Sequence, residues 1–128
     1  MIIADACIFI DALRSKGKAL KPVMYGHPII ACGAAKAEVL KGAKNEIDRD
    51  RIHTFLSGFQ RLAFEEDDWI ALGDNLAVLR RKGISVPFPD VVLATLAIES
   101  GYEVWSDDKH FPLMQTALPD LKLFSEAV

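Results

Sequence analysis

The sequence predicts an α/β fold, with a mostly parallel central sheet between helices in a three-layer α/β/α arrangement. Three observations point there. Short apolar runs alternate along the chain with longer segments whose apolar residues recur every three or four positions. The run Pro28-Ile29-Ile30-Ala31-Cys32 is apolar on both faces, as strands buried in a parallel sheet are. Carboxylates stand where apolar segments begin or end, and the crevice outside the carboxyl ends of parallel strands is where open α/β folds bind ligands.

The chain opens with a short apolar strand, Ile2-Ile3-Ala4, ending in Asp5. Residues 6–14 carry Ile8, Phe9, Ala12 and Leu13 at helical spacing, and Ser15-Lys16-Gly17-Lys18 breaks that helix. A second strand over 28–32 follows Gly26, and Gly33 turns the chain into an alanine-rich helix ending near Gly42. Residues 45–59 predict a further helix, and Arg61-Leu62-Ala63-Phe64 is a candidate third strand. Asp67 and Asp68 are placed to cap a helix whose stripe is Trp69, Leu72, Leu76 and Leu79. Arg80-Arg81-Lys82 before Gly83 has the pattern of that helix's last turn and its C′ residue. Pro87 and Pro89 predict extended backbone, after which Asp90 opens an apolar helix over 91–99 closed by Gly101. Residues 102–106 form the next strand and residues 121–124 the last.

A length of 128 residues predicts one domain, 1–128, able to bury a real core. Hydrophobic residues at 51% and charged residues at 26% argue against a disordered or fibrous chain. The charge-free stretch 22–35 is interrupted by Gly26, His27, Pro28 and Gly33 and falls short of the roughly 20 apolar residues of a membrane span. No membrane association is expected. An N-terminus without a basic start and small-residue cleavage site predicts a cytoplasmic protein, and Cys7 and Cys32 read as buried thiols of a reducing compartment. A net charge of −3 argues against gripping nucleic acid by bulk electrostatics, yet Lys36, Lys41 and Lys44 near Glu38 are candidates for a local rim that meets phosphates.

Four acids carry the functional expectation: Asp5, Glu38, Asp90 and Asp108. Each has an ordinary structural reading. Asp5 and Asp90 precede helices as N-caps do, Glu38 can pair with Lys41 at i+3, and Asp107-Asp108 is a turn. Their joint placement points instead to a divalent metal site, because acids gathered at one sheet edge repel unless a cation neutralises them. Carboxylate oxygens without a clustered His or Cys favour Mg²⁺ or Mn²⁺ over Zn²⁺, and such ions bridge protein carboxylates to substrate phosphates. One or two ions there can lower the pKa of a bound water, orient it for in-line attack on phosphorus and stabilise the leaving oxygen.

The same residues resemble the PIN-domain ribonucleases, most closely the VapC-type toxins of bacterial toxin–antitoxin pairs. The hydrophobic strand ending in Asp is matched by Ile2-Ile3-Ala4-Asp5, although Ala6 and Cys7 replace the family's hydroxyl and amide neighbours. The alanine-rich helix with Glu, an apolar pair and a Gly is matched by Ala37-Glu38-Val39-Leu40-Lys41-Gly42. The extended segment with Asp before an apolar helix is matched by Phe88-Pro89-Asp90-Val91-Val92-Leu93-Ala94. Ser106-Asp107-Asp108-Lys109-His110-Phe111 fits the closing motif, whose spacing selects Asp108 over Asp107. The resemblance runs from Ile2 to about Phe124. It implies a PIN-like fold and Mg²⁺- or Mn²⁺-dependent endonucleolytic hydrolysis of RNA, with 5′-phosphate and 3′-hydroxyl products. Asp5, Asp90 and Asp108 would be the metal ligands, Glu38 would complete the catalytic acids, and Ser106 would support a carboxylate. It also implies a cognate antitoxin laid over the active-site groove and a homodimer. Phe55, Phe59 and Trp69 can be read as lining that groove or as core.

Other readings predict different behaviour. A metal-independent ribonuclease would use His53 and His110 as general base and acid, survive EDTA and leave cyclic or 3′-phosphate ends. A phosphorelay receiver would need two acids at the end of the first strand, where this chain has Ala6 and Cys7 after Asp5. A catalytically silent PIN-like binding module would keep the fold without turnover.

Overall fold

The computed structural model describes residues 1–15 and 20–125. The chain runs β1 (Ile2–Ala4), α1 (Ala6–Ser15), α2 (Leu20–Gly26), β2 (Ile29–Ile30), α3 (Gly33–Leu40), α4 (Glu46–Ser57), α5 (Glu66–Arg81), α6 (Phe88–Ser100), β3 (Glu103–Trp105), α7 (His110–Gln115) and β4 (Lys122–Leu123). The four strands form one sheet in the order β2-β1-β3-β4, and every pair is parallel. The expected α/β architecture with a parallel central sheet is therefore the one observed.

That order decides where a ligand can sit. From β1 the chain moves to β2 on one side, then crosses to β3 on the other. The helices of the two connections are not segregated: α3 and α4 of the second pack against α1 of the first, and α6 packs against both α3 and β3. The carboxyl ends of β1 and β3 flank the point where the strand order reverses, the crevice that open α/β sheets use for binding. The two strands are held in register there, with Ala4 opposite Trp105, and the Asp5 N–H extends the ladder by donating to the Trp105 carbonyl at 2.9 Å.

All three residues of β1, Ile2, Ile3 and Ala4, are buried. Phe9 of α1 joins them in the core, packed edge-on against Phe59 at 4.9 Å, while Phe55 contacts Phe59 at 5.2 Å. The two partly buried rings pack against the core, as one of their two readings held. The most apolar helix is α6, seven of whose residues are buried, among them Thr95. Its hydroxyl accepts from the Asn75 side-chain amide of α5 at 2.9 Å, satisfying a polar group that burial would otherwise penalise. α5 ends as its cations and Gly83 predict: Gly83 is left-handed, with φ 71°, and the Ile84 N–H closes back on the Leu79 carbonyl at 2.9 Å.

Four expectations are corrected. Residues 61–64 form no strand; a single parallel bridge joins Gln60 to Ile30, after which the chain leaves the sheet edge. The N-cap of α5 is Glu65 and the two acids lie inside the first turn, from which Asp68 does cap the helix: it closes a capping box, its carboxylate accepting from the Glu65 N–H at 2.7 Å. Pro89 is helical: α6 starts at Phe88, because a proline in the first turn removes an N–H that has no partner within the helix. Asp90 is consequently a first-turn residue of α6, with Pro87 at the N-cap. α2, unassigned from the sequence, follows residues 16–19; the expected break at Lys16, Gly17 and Lys18 lies outside the described residues. Among the described residues, no helix is long and apolar enough to cross a membrane.

Candidate functional site

Asp5 emerges from the end of β1 and is only 7% exposed. Its carboxylate is fixed by three donors. Oδ1 accepts from the Ala6 N–H at 2.8 Å, and Oδ2 accepts from the Ser106 hydroxyl at 2.8 Å and from the Cys7 thiol at 3.7 Å. The strand-end hydroxyl of Ser106 thus reaches across the switch point from the β3 side. It also accepts from the Asp108 N–H at 3.0 Å, so one serine orients the first acid and the turn bearing the last. Cys7, whose Sγ lies 3.6 Å from the Ser106 oxygen, stands where the family resemblance leads one to expect an amide. Burial pushes its thiol pKa up, so it stays a weak neutral donor to the carboxylate.

Asp90 comes from the opposite direction, in the first turn of α6, and is also only 7% exposed. Its carboxyl is pushed up to about 6, chiefly by burial, with the negative charges of Asp5 and Asp108 adding to the rise and the His110 hydrogen bond opposing it. Asp90 is therefore held close to both other acids by the fold and charged at a cost. His110 stands between two of them: Nδ1 is 2.8 Å from Asp90 Oδ2 and 3.0 Å from Asp108 Oδ1, and the His110 N–H donates to the same Asp108 oxygen at 2.9 Å. Asp90, Asp108 and His110 each offer a ligand atom within 4.8 Å of the others.

Asp108 is part of this group, whereas Asp107 is exposed and outside it. His110, weighed from the sequence as half of a histidine pair near the acidic edge, is in direct contact with two of the acids. The available signal was its position two residues after Asp108, inside the closing motif. Its supposed partner, His53, is exposed on α4.

Glu38, like Asp5, is not one of the three residues grouped within 4.8 Å. Half-buried on α3, it lines a cleft with Arg14, Lys44, Asp48 and Arg51, and no ion pair joins it to Lys41 among the described residues. The three lysines are dispersed too: Lys36 lines a separate cleft with Arg61, Lys41 caps the end of α3, and Lys44 belongs to the Glu38 cleft. Trp69 is half-exposed and rests edge-on against Phe64 at 4.7 Å.

The donor set fits a hard dication. Carboxylates drawn together and partly desolvated gain most from a positive ion between them, and His110 adds one nitrogen to the oxygens. The arrangement can hold a cation at the mouth of the switch point and present it to an anionic ligand.

No protein-family model and no curated protein matches the sequence. Solved structures are similar in fold. A chain of VapBC2 from Rickettsia felis, bound to a DNA fragment from the promoter, superposes with a TM-score of 0.82 at 21% identity, covering 97% of this chain and 98% of that one. VapBC-1 from nontypeable Haemophilus influenzae gives 0.82 at 18% identity over 98% of both chains. A toxin–antitoxin complex from Klebsiella pneumoniae gives 0.69 at 19%, over 94% of this chain and 95% of that one. At such identities the likeness concerns architecture, and in architecture this chain matches those VapBC and toxin–antitoxin chains along nearly its whole length, as the sequence resemblance implies.

Proposed function

We propose that this chain, as a single domain over 1–128, is a metal-dependent endoribonuclease and the VapC-type toxin of a toxin–antitoxin pair. The observation that carries the reading is the convergence of Asp5, Asp90 and Asp108, from β1, α6 and the turn after β3, at the sheet's switch point. The resemblance of the four sequence motifs to that family and the likeness of fold to VapBC chains support it.

Asp90, Asp108 and Asp5 would hold Mg²⁺ or Mn²⁺, with His110 as a neighbour able to ligate or to bind the carboxylates. When bound, the ion supplies an activated water and neutralises charge on the phosphate. The protein does the rest. Ser106 and Cys7 keep Asp5 oriented, the Ala6 N–H holds its second oxygen, and the first turn of α6 delivers Asp90. Glu38 contributes from the α3 cleft, outside the 4.8 Å cluster. The substrate is RNA, and the protein partners are a cognate antitoxin and a second copy of the chain in a cytoplasmic complex.

The test is incubation of pure, partner-free protein with RNA plus Mg²⁺ or Mn²⁺, repeated with EDTA and with Asp90→Ala. The expected result is cleavage leaving 5′-phosphate and 3′-hydroxyl ends that both changes abolish. Cleavage indifferent to both removes the mechanism.

A further inference from the structure

A second cleft lies beside the acids, of about 440 Å³, with Ala31 and Cys32 at the end of β2 as its floor. Its walls come from three directions. The start of α3 supplies Lys36, and Val92 and Leu96, four residues apart on one face of α6, supply an apolar side. The third wall is the segment from Arg61 to Phe64, which leaves the sheet edge after the Gln60 bridge and so opens the space a fifth strand beside β2 would have closed. The lining is apolar except for Lys36 and Arg61, neither of which is in an ion pair among the described residues.

The cleft is close to the acids. β2 and β1 are paired in parallel, Ile2 with Ile29 and Ile3 with Ile30, and continuing that register two residues sets Cys32 alongside Asp5. Adjacent strands are about 4.8 Å apart. The cleft floor is thus one strand away from the first acid, and Val92 is two residues beyond Asp90.

We propose that this cleft binds one nucleotide of a single-stranded RNA adjacent to the cleaved bond, its base against Leu62, Phe64, Val92 and Leu96 and its phosphate against Lys36 and Arg61. The inference rests on the nuclease reading above and extends it from the reacting phosphate to substrate selection. Charge complementarity selects the occupant. A chain with 18 acids against 15 Lys and Arg has no bulk attraction for RNA, so affinity must come from local cations beside a surface on which a base can pack. An apolar pocket with two uncompensated cations at its rim suits a flat hydrophobic ring carrying an anion. An unpaired loop presents such a nucleotide, whereas a duplex keeps its bases stacked.

Two variants test it. Arg61→Ala removes one phosphate contact. Gly33→Leu adds a side chain to the lining of the cleft, where a Cβ meets nothing within 4 Å, and its fold is checked by far-ultraviolet circular dichroism. Binding of a short, labelled single-stranded RNA is read by anisotropy in EDTA, so that catalysis is not required, and the magnesium affinity of each protein is read by calorimetry. The expected result is RNA binding weakened about tenfold in both variants, a salt dependence shallower by about one unit of slope in Arg61→Ala, and magnesium affinity unchanged. A substrate series with one abasic residue moved along the RNA should reveal one sensitive position next to the cut in the wild type, lost in Gly33→Leu. Wild-type RNA binding and abasic profile retained by both variants would overturn the cleft while leaving the nuclease reading intact. So would a change confined to self-association in Gly33→Leu. Wild-type protein that neither binds nor cleaves RNA would overturn both.

Discussion

Asp90 and Asp48 are the same side chain in opposite circumstances. Asp90 sits at the switch-point mouth, buried and facing other acids, and its carboxyl rises to about 6. Asp48 lies in the first turn of α4, where the Lys44 N–H donates to it at 3.0 Å and Arg51 at 2.8 Å, and its carboxyl is held below the ordinary range by those two donors. The Lys44 N–H and the Arg51 guanidinium both favour its charge. At the mouth, desolvation and like charges oppose ionisation of Asp90, leaving a deficit of positive charge that a cation can fill. A carboxylate's surroundings, more than its presence, separate a structural acid from a binding one.

The sharpest way to break this contrast is to remove an acid from each region. Asp108→Ala is expected to reduce RNA cleavage by about 10³-fold and magnesium binding to background, since a metal site loses several kcal/mol of charge stabilisation with a ligand. Asp48→Ala should leave both intact, a difference read by single-turnover cleavage and calorimetry. Ser106→Ala comes next: with Asp5 and the Asp108 turn losing their shared hydroxyl, metal affinity should fall about 10- to 100-fold while the far-ultraviolet circular dichroism stays that of the wild type.

The pH dependence sharpens the same comparison. Because the folded pKa of Asp90 is raised, its neutral form contributes stability that is fully present below about pH 4 and lost as pH rises through about 6. A dication that binds the ionised form reverses the loss. Saturating Mn²⁺ should therefore raise the melting temperature distinctly more at about pH 8 than at about pH 5, and Asp90→Asn should flatten the difference. The smallest effect belongs to the structural region: Asn45→Ala removes the side-chain oxygen that accepts from the Asp48 N–H at 2.8 Å and should cost about 1 kcal/mol in denaturant unfolding, without altering cleavage.

Much of this was legible in the chain. Strands β1 and β3 and their terminal acids follow from apolar runs that stop at a carboxylate, and the left-handed Gly83 and Gly101 end helices where a glycine follows the last periodic residue. The preference for Asp108 over Asp107 is what the closing motif of the resembled family implies. The strand read at 61–64 failed because four apolar or long side chains say nothing about whether a partner edge continues beside them, and here it ends after one bridge. Asp90 was misread as a cap since a proline usually marks extended backbone, yet in a helix's first turn it is tolerated. The closeness of His110 to Asp90, and the separation of Glu38 from the 4.8 Å cluster, depend on how α6, α7 and α3 dock, which no local pattern encodes.

The hydrogen bond from Asn75 to Thr95 has a consequence for Asp90, five residues earlier on the same helix. Thr95 is fully enclosed, so rotating α6 about its axis, or sliding it by a turn along α5, would strand a hydroxyl in the interior with no acceptor or donor to meet it. The bond works as an indexing pin between two cylinders. It fixes the azimuth at which the first turn of α6 arrives at the sheet, and with it the aim of the carboxylate there.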